Sequence, residues 1–198
     1  MYNRAMAVRL EASPPLTPLS VLGPYRDVDY RALPDEPRCE LLYGRLLVTP
    51  APTLRHAEVV ARLAIEIGGY ADRNGGRVAV SPVDVVLAEH SVVQPDVIWI
   101  SPARNGIAGT RVEGAPDLVV EVLSPSTTGR DRGEKLRLYA EAGVPEYWLV
   151  DPEAATFEFL VLRDGRYEVH LPLDGRNRSA VHRDLALELE DFWRRLER

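Results

Sequence analysis

PDLVVEVLSPST, residues 116–127, is the stretch on which the fold turns. Residues 117–123 (DLVVEVL) form a short, almost wholly apolar run, the pattern of a strand covered on both faces at the centre of a sheet. A helix follows at 131–142: Asp131 with Glu134 makes a capping-box-like start, and Gly143 with Pro145 marks its end. A further buried strand, EYWLV at 146–150, comes next.

Upstream, 77–87 and 92–100 are rich in Val and Ile and read as a hairpin joined by the polar turn 88–91. Before it, 56–73 has the clearest helical period. Val59, Val60, Leu63, Ala64 and Ile67 make one apolar stripe, Glu58, Arg62 and Glu66 line the opposite face, and Asn74-Gly75-Gly76 stops the helix. Residues 39–49 (CELLYGRLLVT) give two short strands around Tyr43-Gly44, closed by Pro50 and Pro52, and 27–32 gives a short helix stopped by Pro34. On the other side, 156–162 and 167–173 flank Asp164-Gly165, a hairpin signal, and 187–196 closes the chain as a helix carrying Phe192 and Trp193. The expected fold is mixed α/β: a largely central sheet, a helix on each side, an N-terminal hairpin, and a C-terminal hairpin plus helix.

At 198 residues the chain suits one domain, expected at 25–198. Residues 1–24 carry Pro14, Pro15, Pro18 and Pro24 with little periodicity and read as a poorly ordered lead-in. Apolar content of 45% with 27% charged residues is ordinary for a globular protein, so no metal or disulfide staple is needed for folding. Cys39 is the only cysteine, which excludes an intramolecular disulfide and a thiolate metal cluster. No run approaches the roughly 20 apolar residues that span a bilayer. Asn3, Arg4 and Arg9 interrupt the apolar core that a signal peptide would need, so the expectation is cytoplasmic. The net charge of −6 lowers the expectation of tight non-specific nucleic-acid binding, although only a contacting surface must be basic.

Two acids stand in apolar surroundings: Asp96 at the entry of 97–100 (VIWI), and Glu121 between Val120 and Val122. A buried carboxylate is costly unless paired, and one divalent cation would relieve both; oxygen-rich sites of this kind suit magnesium or manganese. Alternatively, each acid pairs with a nearby Arg or caps a loop. The helix after Ser124-Pro125-Ser126-Thr127-Thr128 carries Arg130, Arg132, Lys135 and Arg137, a setting that suits phosphate. Lys135, one turn in, can reach back to the strand end and stabilise charge developing on a phosphorane. Without the acids, the same cations read as a solvated face balanced by Glu134 and Glu141.

Seven features recur in order: Glu40-Leu41-Leu42-Tyr43-Gly44; Pro50-Ala51-Pro52 followed by His56; Gln94-Pro95-Asp96; the 116–127 stretch; Lys135 with Tyr139; Gly143-Val144-Pro145-Glu146-Tyr147-Trp148; and Asp151-Pro152. Together, from about Asp27 onward, they resemble the bacterial restriction-endonuclease family long known as a domain of unknown function, within the PD-(D/E)XK nuclease superfamily. The resemblance implies a core of helix, three-strand meander, second helix and fourth strand, which falls on 56–73, 77–123, 131–142 and 146–150. It also implies that Asp96 is the metal-binding aspartate of the PD element and Glu121 the acid of the (D/E)XK element. Leu123 stands where the lysine of that element belongs, which makes Lys135 the candidate to replace it.

Glu40 and His56 also fall on family-typical positions. Glu40 is a candidate further acid facing the metal. His56 is a candidate proton carrier or outer partner, or else simply the start of its helix. Asp84 and Asp117 read as turn or edge residues. Glu66 reads as the partner of Arg62, although some superfamily members carry a helix acid there. Trp99, Tyr147, Trp148 and Trp193 read as core or interface aromatics.

The expected function is magnesium- or manganese-dependent hydrolysis of DNA phosphodiesters by an endonuclease, with Asp96 and Glu121 on the metal and Lys135 adding positive charge. No Ser-His-Asp or Cys-His arrangement competes. The alternative is a catalytically degenerate nucleic-acid-binding or regulatory module on the same fold. A third reading is a subunit whose protein partner supplies target specificity. A homodimer through the C-terminal hairpin and the Phe192/Trp193 helix would place two active sites on two strands.

Overall fold

The computed structural model describes residues 22–34, 36–182 and 184–197; residues 1–21 of the expected lead-in lie outside the described residues. The architecture is mixed α and β. A six-stranded sheet has the order β11-β10-β9-β8-β6-β3. Its strands are β3 (Arg77–Val80), β6 (Val97–Ile100), β8 (Leu118–Val122), β9 (Glu146–Asp151), β10 (Thr156–Arg163) and β11 (Arg166–His170). A five-stranded sheet has the order β2-β1-β5-β4-β7. It comprises β1 (Cys39–Leu42), β2 (Arg45–Val48), β4 (Val85–Ala88), β5 (Ser91–Val93) and β7 (Val112–Glu113).

β8 is central, as its apolar run predicts: it pairs antiparallel with β6 and parallel with β9, and all five of its residues are buried. Side chains alternate between the two faces of a strand, and two cores follow from that alternation. Leu118, Val120 and Val122 face one cluster with Val97, Trp99 and Trp148, under Val59, Leu63 and Ile67 of α2 (Leu54–Asn74). Val119 faces the other with Ile98, Tyr147 and Leu149, against Leu138 and Tyr139 of the following helix and Leu42, Val85 and Val93 of the smaller sheet. One helix therefore covers each face, as expected. Trp99, Tyr147 and Trp148 are core residues, and Trp193 packs on Phe157 and Phe192.

Both hairpin turns stand where the sequence places them. Tyr43 and Gly44 (φ 50° and 76°) join β1 to β2, and Asp164 and Gly165 (φ 49° and 75°) join β10 to β11, the paired positive φ of a two-residue hairpin. α1 (Asp27–Tyr30) and α2 also form at their expected places, with Thr53 as N-cap of α2 accepting from the His56 N–H.

Three expectations need correction. The hairpin read across 77–100 is split between two sheets. β3 pairs with β6 in the large sheet, while β4 and β5 form the tight hairpin in the small one. Ser81-Pro82 and Gln94-Pro95 lie where the chain crosses between them, and a proline there has no N–H to continue a ladder. The helix read from Asp131 begins earlier. α3 (Thr128–Arg130) leads into a π-helical turn at Asp131–Lys135 and then α4 (Leu136–Ala142), which ends on left-handed Gly143. The start is set by Ser124, whose carbonyl accepts from the Thr128 N–H and hydroxyl, so Asp131 is inside the helix and not its cap. Finally, the helix read over 187–196 starts as strand: β13 (Ala186–Glu188) pairs with β12 (Arg176–Arg178), and α5 (Leu189–Arg194) follows.

Candidate active site

Val97 of β6 is opposite Val120 of β8, so Asp96, one residue earlier, lies beside Glu121. By the same alternation both acids belong to the face of Ile98 and Val119, beneath the 128–142 helical segment. Asp96 Oδ2 accepts from the Val122 N–H at 2.7 Å, which locks it to the neighbouring strand. His56 reaches the same oxygen from the first turns of α2, with Nε2 at 3.3 Å.

Lys135 closes the group from the helix. Its Nζ lies 2.9 Å from Glu121 Oε1 and 2.9 Å from Glu40 Oε1, and all three side chains are at most 5% exposed. Glu40 comes from β1 of the smaller sheet, where the Gln94 N–H donates to Oε1 at 2.7 Å and Arg130 Nη1 stands 3.7 Å from Oε2. All five expected residues, Glu40, His56, Asp96, Glu121 and Lys135, therefore meet where the two sheets and two helices converge. Leu123 is a buried core residue, and the lysine that reaches Glu121 is Lys135.

Two further residues belong to the cluster. Tyr139 donates its hydroxyl to Glu121 Oε1 at 2.6 Å. Asp131 is 2% exposed and sits with Oδ1 3.8 Å from Lys135 Nζ. The signal for both was the spacing Asp131, Lys135, Tyr139, which at i, i+4 and i+8 puts three polar groups on one helix face. The other expected cations point elsewhere: Arg132 pairs with Glu158 and Arg137 with Glu141. Glu66 pairs with Arg62, as read. Asp117 accepts from the Ser101 N–H, and Asp84 accepts from Tyr30 and Gln94, so both brace loops.

The electrostatics are acid-rich. Burial drives Glu121 well above the usual carboxylate range, with Asp131, Asp96 and Glu40 adding to the rise against Lys135. Burial likewise outweighs Lys135 at Asp131, which is also raised. At Glu40 burial acts upward too, but Lys135 and the Gln94 N–H outweigh it and the carboxyl is lowered. Burial pulls the Lys135 ammonium down, and Glu121, Glu40 and Asp131 more than offset it. Lys135 is shared by three acids and Arg130 reaches only Glu40, so the shortfall of positive charge falls on Glu121 and Asp131.

That imbalance bears on a cation. Among the described residues no three His, Cys, Asp or Glu side chains already surround one point at ligating distance. Magnesium, however, is commonly held by one or two carboxylates with water and substrate phosphate making up the rest. Asp96 and Glu121 supply hard oxygen donors, the local charge is negative, and Asp131 Oδ1 is buried with no hydrogen-bond partner. In kind and in charge the residues fit such an ion.

Comparison with known proteins points the same way. A family model described as "Putative restriction endonuclease" (Uma2) matches residues 27–195. Among solved structures, one titled as a putative nuclease belonging to DUF820 from Anabaena variabilis ATCC 29413 superposes with a TM-score of 0.74 at 20% identity. The superposition covers 87% of this chain and 99% of that one, and shows that the two share a fold. No curated protein sequence matches the chain.

Proposed function

Since the chain belongs to this restriction-endonuclease family, we propose that it is a magnesium- or manganese-dependent endonuclease that hydrolyses phosphodiester bonds in DNA. One observation carries the reading: Asp96 and Glu121 lie side by side on adjacent strands, with the Lys135 ammonium 2.9 Å from Glu121. Asp96 and Glu121 would hold the metal, which when bound lowers the pKa of a coordinated water and neutralises phosphate charge. Lys135 contributes positive charge where the phosphorane develops its own. Glu40 aims Lys135, with Gln94 and Arg130 fixing Glu40. His56 braces Asp96 through Oδ2. The protein would act in the cytoplasm as a homodimer, so that two sites serve two strands, with loops or a protein partner supplying target specificity.

A second reading draws on the same lysine. Lys135 directs two hydrogen bonds to Glu40 and Glu121, and the chain carries a net charge of −6; both suit a degenerate binding module.

Plasmid and oligonucleotide cleavage with magnesium or manganese, for the wild type, Asp96→Asn and Glu121→Gln, decides between them. Cleavage that needs metal, stops with a chelator and is lost in both variants is expected. A folded wild type that cuts no substrate with either metal would leave the binding module.

A further inference from the structure

The helical segment 128–142 carries four cations, and three of them are engaged by acids at close range. Arg132 pairs with Glu158, Arg137 with Glu141, and Lys135 lies between Glu40 and Glu121. Arg130 differs. Its Nη1 stands 3.7 Å from Glu40 Oε2, close enough to balance charge but beyond hydrogen-bonding distance. Among the described residues that is its side chain's one ion pair, so the donors of its guanidinium fork have no protein acceptor.

Arg130 also stands where a substrate can enter. Glu40, Glu121 and Lys135 are at most 5% exposed, whereas Asp96 (16%), His56 (14%) and Arg130 (20%) keep contact with water. A polyanion can approach the acids only along that open rim. His56 is engaged with Asp96 there, which leaves Arg130 as the cation with donors to offer. The adjoining loop, 124–128, presents hydroxyls and no acid: Ser124 Oγ lies 3.0 Å from Ser126 Oγ and 3.0 Å from Thr127 Oγ1. A guanidinium largely withdrawn from water and lacking an acceptor gains from a ligand with paired anionic oxygens, and phosphate matches its fork.

We infer that Arg130 is a substrate-binding residue, donating both arms of its guanidinium to the non-bridging oxygens of a DNA backbone phosphate at the rim of the acid cluster. The inference rests on the nucleic-acid reading under Proposed function and holds whether the bound strand is cut or only held. A contact of this kind positions the backbone and carries no base preference.

Fluorescence anisotropy of a labelled DNA duplex titrated with the full chain tests this, with calcium as the divalent ion and the probe checked by gel to stay intact. Wild type, Arg130→Gln, Arg130→Lys and the control Arg132→Gln are compared over a range of salt. Arg130→Gln should weaken binding about tenfold and reduce the salt slope by about one. Arg130→Lys should keep the salt slope yet bind several-fold more weakly, because an ammonium lacks the fork. Arg132→Gln, whose cation is held by Glu158, should bind as wild type does; a loss equal to that of Arg130→Gln would reduce the effect to net charge and overturn the inference. Wild-type affinity and salt slope in Arg130→Gln overturn it alone, even if cleavage falls, since a residue that only steadied Glu40 would alter the reaction and not DNA affinity. A wild type that binds no DNA overturns the underlying reading as well. If Arg130→Gln does not fold, Arg130→Lys decides: weaker binding supports the inference, and wild-type affinity overturns it.

Discussion

The Lys135 ammonium lies 2.9 Å from Glu121, fourteen residues earlier in the chain, and that contact ties the 128–142 helical segment to the central strand. The same nitrogen lies 2.9 Å from Glu40, so one cation also joins the two sheets. Breaking a buried ion pair from one side is costly, because the partner left behind has no water to turn to.

Lys135→Met should therefore destabilise the fold by about 3–5 kcal/mol near neutral pH. The deficit should shrink as pH falls, since Glu40 and Glu121 lose their charge on protonation and no longer need the ammonium. Urea denaturation of variant and wild type at several pH values measures it; a pH-independent deficit would show that lost packing, and not charge, is responsible.

Tyr139→Phe removes the hydroxyl that donates to Glu121 at 2.6 Å. A hydrogen bond to a charged group contributes about 1.5–3 kcal/mol, and a loss in that range is expected in thermal or urea denaturation. Combined with Glu121→Gln, the two losses should fall well short of additive; additive losses would mean that the hydroxyl acts elsewhere.

His56 gives a pH signature. Burial pulls its imidazole down, but the hydrogen bond and charge of Asp96 more than offset that, and the folded pKa is raised above 6.5. A base with a raised folded pKa stabilises fully below its unfolded pKa and loses that contribution as pH rises through the folded value. Wild type should thus lose stability relative to His56→Ala as pH climbs from about 6 into the alkaline range, a difference that paired urea titrations read directly. Parallel curves would remove the charged His56–Asp96 pair.

Glu66 is a control. It pairs with Arg62 one turn away on a half-buried stretch of α2, and an i, i+4 helix pair contributes about 0.3–0.5 kcal/mol. Glu66→Gln should leave both cleavage and manganese binding at wild-type levels. Loss of either would bring Glu66 into the metal site and redraw its boundary.

Much of the site was legible in the sequence because its residues break local patterns. Asp96 and Glu121 stand out as acids inside apolar runs, and the turn pairs Tyr43-Gly44 and Asp164-Gly165 announce hairpins whose positive φ values the structure bears out. Asp131 was legible only in its spacing with Lys135 and Tyr139, one helix face at i, i+4 and i+8. An acid three residues before another near a helix start has the same local form whether it caps the helix or enters a buried cluster, and the π-turn that directs it inward has no simple sequence mark. The split of 77–100 between two sheets was hidden for a related reason: Val- and Ile-rich strands look alike whichever partners they take.

By itself, then, the sequence determined the elements and their faces, because the periods of helix and strand and the needs of turns act over a few residues. Tertiary structure alone decided which charges meet. That Glu40 of β1, Glu121 of β8 and Lys135 of the helical segment share one ammonium depends on sheet register and on how the helix packs across both sheets. The energy of a buried charge is set by its neighbours in space, and those are fixed only when the chain is folded.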